Sequence, residues 1–264
     1  MENLKNLMHW YLVINMSGKI KKEIQEMCKR LRCPGIYQSY ERIAKNYNVP
    51  EYEKFLFEVL KAEIESREEN NRIKRIKKAK FPVIKTFGEL EKEELPDDAK
   101  NHLEKIKNLE FLKENRNLIM LGNSGTGKTH LAVAAGIEAC NNGYTVLFKT
   151  AAGLINELKE AKNEKELTKY AKTFKKIDLL ILDEMGYISF DLEGAELLFQ
   201  YISMRYEVKS TIITTNLNFS NWIKIFKDKA LTMALLDRIT HNAIILDMNG
   251  YSYRRKALKQ NNKS

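Results

Sequence analysis

The stretch Gly122-Asn123-Ser124-Gly125-Thr126-Gly127-Lys128-Thr129 matches G-x-x-x-x-G-K-[ST] at every fixed position. A loop of this type turns successive backbone N–H groups inward around phosphates, and the helix that follows adds the positive end of its dipole. Lys128 is placed to reach the β- and γ-phosphates of a triphosphate, and the Thr129 hydroxyl to ligate Mg2+. His130 continues the run and is counted with Gly122 to Thr129 as nucleotide-binding. Asp183 lies 54 residues beyond Thr129, at the end of the apolar run in LLILDEMGYI. A carboxylate on a neighbouring strand end suits the magnesium shell, and the adjacent Glu184 can polarise a water for attack on the γ-phosphate. That pairing favours hydrolysis over transfer to a second substrate.

Three further residues fit the same chemistry. Asn216 closes the run STIITTN. Parallel sheets gather ligands at the carboxyl ends of their strands, so its amide can position the attacking water; the lesser alternative is a cap on the turn before Ser220. Arg238 and Arg254 offer planar, permanently charged forks that match developing phosphate charge. Arginine is sparing in this part of the chain, with five after Lys85 against 21 lysines.

The elements that must position these groups can be read from periodicity. Five β-like runs, Leu118–Leu121, Thr145–Phe148, Leu179–Leu182, Thr211–Thr214 and Ala243–Leu246, alternate with helical stretches. Their near-continuous apolar character predicts a parallel five-stranded sheet flanked by helices, an α/β P-loop fold. The interval between Thr129 and Asp183 is too long for one helix and admits helix, strand and helix. That excludes the simplest nucleotide kinases, and no N-K-x-D guanine signature occurs, so the nucleotide expected is ATP.

Upstream, residues 20 to 80 read as helical, with breaks at Cys33-Pro34-Gly35 and from Asn46 to Pro50. Tyr52, Phe55, Leu56, Val59, Leu60 and Ile64 recur at helix spacing. The helix then runs into RIKRIKKAK, Arg72 to Lys80, six basic residues in nine with Ile73, Ile76 and Ala79 on a thin apolar edge. Pro82 ends it, and an acidic stretch from Glu89 to Asp98 separates it from the rest. The expected organisation is a helical, basic N-terminal domain over residues 1–85, an ATPase domain over 86–255 and a polar tail over 256–264, with residues 1–15 an upstream extension of a domain that begins near Met16.

The formal charge of +10 is uneven: 19 basic against 11 acidic residues up to Lys85 leave the longer remainder nearly neutral. A basic end on a neutral body implies an anionic partner held at that end. Lys74, Arg75, Lys77, Lys78 and Lys80 are the candidates for contacting DNA phosphates without reading sequence. Cys28, Cys33 and Cys140 are odd in number and lack zinc-ligand spacing, and the four histidines are scattered, so a reducing cytoplasmic setting and no structural metal are expected. The apolar run Trp10 to Ile14 is far short of a membrane span.

Taken together, the order of P-loop, inserted strand, Asp-Glu strand, Asn-ending strand and late arginines resembles the AAA+ ATPases. The stretches GTGKTHLA, DLLILDEMGYISFDLEGAELLFQYISMRYE, STIITTNLNFSNW and ALLDRITHNAIILDMNGYSYR are most similar to the IstB-like group, the ATPase helpers of a class of bacterial insertion-sequence transposases, with DnaC-type helicase loaders as near relatives. The similarity covers about residues 20 to 258. It implies Walker A roles for Lys128 and Thr129, Walker B roles for Asp183 and Glu184, a sensor 1 role for Asn216 and a sensor 2 role for Arg254. Arg238 resembles the finger that such ATPases present to a neighbouring subunit, with Arg205 the next choice. The resemblance thus implies a homo-oligomer with shared active sites that binds ATP, Mg2+ and DNA and assists the transposase of the same element. Its alternative is a loader that grips a replicative helicase. A soluble metabolic kinase is disfavoured by Glu184 and the paired arginines. Two departures stand out: Asn123 and Ser124 occupy positions where relatives often carry proline, and only 17 residues follow Asp247, too few for a C-terminal helical lid domain.

Overall fold

The computed structural model describes residues 19–47 and 51–250. The chain divides into two compact units, Met1–Ile73 and Lys74–Ser264. Among the described residues the first unit comprises α1 (residues 19–31), α2 (Pro34–Tyr47) and most of α3 (Glu51–Ala79). Pro34 begins α2, where its fixed φ suits a first helical turn and its missing N–H has no partner to lose. Ile24, Cys28 and Leu31 of α1 pack with Tyr40 of α2 and with Leu60 and Ile64 of α3. Tyr52, Phe55 and Val59, which share the helical periodicity, are exposed.

The last turns of α3 belong to the second unit. Ala79 is fully buried in its core, with Ile76 and Phe81 packed against the same cluster. The division therefore falls inside the basic helix, upstream of residue 85 where the composition shift places it. Of the apolar edge of RIKRIKKAK, Ile76 and Ala79 pack into the core of the second unit, whereas Ile73 is exposed.

Five parallel strands form the sheet: β1 (Asn117–Leu121), β2 (Val146–Thr150), β3 (Leu179–Met185), β4 (Ser210–Thr215) and β5 (Ala243–Asp247), in the order β2-β3-β4-β1-β5. All five expected runs form strands; four are extended by one to three residues, and the second begins one residue later than expected, at Val146, and runs two residues further, to Thr150. Alternate side chains feed two cores. Leu118, Met120, Ile181 and Ile212 face α4 (Asp97–Lys107), α5 (Glu110–Lys113) and α6 (Lys128–Asn141). Ile119, Leu180, Leu182 and Ile213 face α7 (Ala151–Asn163), α8 (Leu167–Phe174), α9 (Leu192–Ser203), α10 (Ile223–Phe226) and α11 (Lys229–Thr240). The β4 run STIITT is buried along its whole length, as expected of a strand covered on both faces. Its place between β1 and β3 brings the P-loop and the Asp-Glu pair to either side of one strand end.

Candidate active site

The loop between β1 and α6 has glycines where no other residue fits. A Cβ on Gly122 would lie 2.3 Å from the Met248 carbonyl, on the chain that leaves β5. Gly125 and Gly127 have φ of +84° and +90°, the left-handed region that glycine enters without cost. Lys128 is buried, and its ammonium donates to the carbonyls of Gly122 and Asn123, both at 2.6 Å. The Thr126 hydroxyl donates to the Asn123 carbonyl at 2.9 Å. The first N–H groups of α6 lie at the same place and lack partners within the helix, as at any helix start.

Across the loop, β3 brings its carboxylates to the end of β4. Asp183 is 4% exposed, and its carboxylate is held from two sides. Thr129 Oγ1 donates to it at 3.1 to 3.2 Å, and Thr214 Oγ1 donates to Asp183 Oδ1. The pairing of β3 with β4 slips between Leu182 and Met185. At this bulge Glu184 takes φ +60°, and its N–H, displaced from the ladder, donates to Thr214 Oγ1 at 3.0 Å. A non-glycine residue in the left-handed region costs on the order of 1 kcal/mol or more, and such strain gathers at functional sites. The consequence is geometric: Asp183 points inward, while the Glu184 side chain is exposed on the cleft.

That cleft encloses about 360 Å³ and is lined by Ser124 to His130, Glu184, Tyr187, Thr214 and Thr215. Its far wall is unexpected. Lys85, Glu89, Leu90, Glu91, Glu94 and Leu95 line it, so the acidic stretch read as a separator is part of the site. Two 3-10 turns, Phe87–Glu89 and Lys92–Glu94, fold this segment back over the loop. His130 Nε2 lies 3.1 Å from the Thr86 carbonyl and fastens α6 to the same segment. The one sequence signal for this wall is the pair Leu90 and Leu95, apolar among charges and without helical or strand period. Tyr187, also missed, joins its hydroxyl to that of Ser124 at 2.5 Å and so spans from the β3 exit to the tip of the loop.

The remaining candidates separate. Asn216 is exposed at the exit of β4, beside the turn after Glu184, where a Cβ on Gly186 would lie 3.1 Å from its Oδ1. It is close to the Asp-Glu pair but does not line the cleft. Arg238 sits on α11, stacked 4.6 Å over the Phe199 ring of α9 and bonded to the Ala234 carbonyl of its own helix at 3.0 Å. It is half-buried and is not part of this chain's own cleft. Arg254 lies outside the described residues. Arg205 cannot act as a finger. It is 3% exposed, and its guanidinium donates to the carbonyls of Ile177, Asp178 and Ser210 and to Thr211 Oγ1. Burial pushes its pKa down to about 10, with Asp178 pulling it back up.

The basic end of α3 also divides. Lys74, Lys77, Lys78 and Lys80 are exposed. Arg75 is turned to the body, its Nε donating at 2.8 Å to the Cys140 carbonyl in the last turn of α6. It caps a helix end whose carbonyls lack intrahelical partners, so it does not stand in solvent with the other four candidates for phosphate contact.

The residues present fit both a triphosphate and Mg2+. The Thr129 hydroxyl and the Asp183 carboxylate converge as hard oxygen donors, the kind this ion takes. The loop's Gly125 and Gly127 take the positive φ that lets a phosphate-binding turn present its backbone N–H groups inward.

A family model described as IstB-like ATP binding protein matches residues 27–261. An ATP-binding protein of insertion sequence IS5376 from Geobacillus stearothermophilus is 37% identical over 238 residues, which span 89% of this chain and 94% of that protein. The ATP-binding protein of insertion sequence IS232 from Bacillus thuringiensis subsp. berliner is 42% identical over 194 residues, 74% of this chain and 78% of that protein. Among solved structures, AMPPCP-bound DnaA from Aquifex aeolicus aligns with a TM-score of 0.54 at 21% identity, covering 70% of this chain and 56% of that one, which shows a shared fold.

Proposed function

The chain belongs to the IstB-like ATP-binding proteins, an AAA+ ATPase group, and from that premise we propose that it is the ATP-driven partner of an insertion-sequence transposase, assembling on DNA through its own copies. Lys128 and the α6 N-terminus hold the β- and γ-phosphates, and Leu90 and Leu95 form the apolar wall for the base. Mg2+, when bound through Thr129 and Asp183, neutralises charge on the phosphate oxygens. Glu184 takes the proton of the attacking water, and to Asn216, just outside the cleft lining at the neighbouring strand end, we assign the orientation of that water.

The observation that supports assembly is an absence within one chain. Among the described residues no arginine lines the cleft, and Arg238 stands on the surface of α11. A neighbouring copy that offers Arg238 to the γ-phosphate completes the charge stabilisation that phosphoryl transfer needs. The exposed lysines at the end of α3 support the DNA contact. Among the described residues no helix is long and apolar enough to cross a membrane, and a cytoplasmic site of action is part of the proposal.

The test is DNA affinity in the presence of ATP and Mg2+ as a function of salt, on duplexes of unrelated sequence. Steep weakening with salt and indifference to sequence are expected. Binding that ignores salt, or binding of a replicative helicase with no affinity for DNA, overturns the reading.

A further inference from the structure

We propose that Thr214 is the positioning residue of the hydrolytic site, the single group that sets the geometry of both carboxylates. The inference rests on the roles assigned above to Asp183 and Glu184. Thr214 is 2% exposed, within a strand that is buried throughout. A hydroxyl has one proton to give and two lone pairs. Thr214 gives its proton to Asp183 Oδ1 and accepts the N–H of Glu184 at 3.0 Å. One bond holds Asp183 Oδ1 from the side of β4, while Thr129 Oγ1 straddles both carboxylate oxygens from the side of α6. The other bond satisfies an N–H released by the slip between Leu182 and Met185, and so supports Glu184 at φ +60°.

The coupling has a direction. If the hydroxyl is removed, the Asp183 carboxylate is held by Thr129 alone and the part-buried Glu184 N–H loses its partner. The strand then gains by relaxing out of the left-handed conformation, and the Glu184 side chain leaves its place on the cleft. Lys128, Gly125 and Gly127 take no part in this corner. The loss therefore falls on metal affinity and on turnover rather than on the grip of the loop on phosphate. Groups that orient the ligands of a metal typically change metal affinity or activity by about 10- to 100-fold when removed.

The experiment compares Thr214→Val, which keeps shape and drops the hydroxyl, with Thr214→Ser, which keeps the hydroxyl. Two quantities are read: the Mg2+ concentration that half-saturates binding of a fluorescent ATP analogue, and the split between kcat and KM for ATP. The valine protein should need about 10-fold or more Mg2+ and lose about 10- to 100-fold in kcat with KM little changed, while serine restores most of both. Thr214→Ala carries the same expectation and stands in if the valine protein does not fold. A valine protein with the wild-type Mg2+ midpoint and kcat overturns the proposal, as does a serine protein as impaired as valine, which would mark a packing role. Glu184→Gln is run alongside: if it still hydrolyses ATP, the reading of the site has failed, whereas if it is inactive and Thr214→Val is normal, only the role of Thr214 has.

Discussion

The corner where β3 meets β4 and the end of α3 both belong to the second unit and both carry charge, yet they hold it in opposite ways. Asp183 is buried between two hydroxyls, and even the backbone of its neighbour Glu184 is fixed by a side-chain bond. Lys74, Lys77, Lys78 and Lys80 stand in solvent on a helix anchored by Ala79, Ile76 and Arg75. The corner is completed by its own chain; the lysines have no such enclosure, and Arg238 rests on Phe199 outside the cleft. Geometry that must be accurate to a fraction of an ångström is built from buried hydrogen bonds, while geometry that awaits a partner is built by fastening one face of a helix and leaving the other free.

The strongest challenge to that contrast is Arg238→Ala. Because Arg238 stacks on Phe199 away from its own cleft, its loss should leave ATP binding by the isolated chain unchanged and lower turnover in the assembly about 10³-fold or more. Mixing this protein with Glu184→Gln should restore hydrolysis, since the first keeps an intact cleft and the second supplies the arginine. If mixing restores nothing, the finger lies elsewhere and Arg238 joins the structural residues.

Next in size is Glu184→Gln alone. Within the self-contained corner it should keep ATP affinity and lose about 10²- to 10⁴-fold in turnover, the range for a general base. Lys128→Ala should weaken ATP binding itself, read by direct titration. Equal effects of the two substitutions on affinity would erase the distinction between holding phosphate and activating water.

Arg205→Met sharpens the comparison from the stability side. A buried guanidinium with four protein acceptors fastens the end of α9 to the starts of β3 and β4. Its removal leaves buried carbonyls unpartnered and should cost about 3 kcal/mol in urea unfolding, with ATP affinity of the folded protein unchanged. Loss of turnover without loss of stability would return Arg205 to the list of fingers.

These arginines also show what a sequence can and cannot disclose. The P-loop and the Asp-Glu strand were legible because their chemistry is carried by contiguous residues, and the five strands because burial on both faces leaves an apolar run. Arg205 and Arg238 look alike in sequence, and only the fold buries one among four protein acceptors and leaves the other half-buried on α11 against the Phe199 ring. Thr214 lies within the apolar run STIITTN, but the role proposed for it depends on β4 lying beside β3 and on a one-residue slip, neither of which has a local signal. The wall from Lys85 to Leu95 was hidden for a different reason: it is an irregular segment, and its charges mimic a linker.

The smallest effect discriminates within a single turn of helix. Lys78 and Arg75 are three residues apart and equally charged, but one faces solvent and the other is bonded to the Cys140 carbonyl. If the exposed row contacts DNA phosphates, Lys78→Gln should reduce the slope of log affinity against log salt by about 1 and leave the melting temperature alone. Arg75→Gln should do the reverse. It removes a hydrogen bond worth about 1 kcal/mol at the end of α6 and lowers the melting temperature by a few degrees, while the salt slope stays where it was. The two measurements are independent, so a salt slope that falls equally in both variants would mean that Arg75 leaves its carbonyl to meet the phosphates, and that the anchored face of the helix is not anchored when DNA is bound.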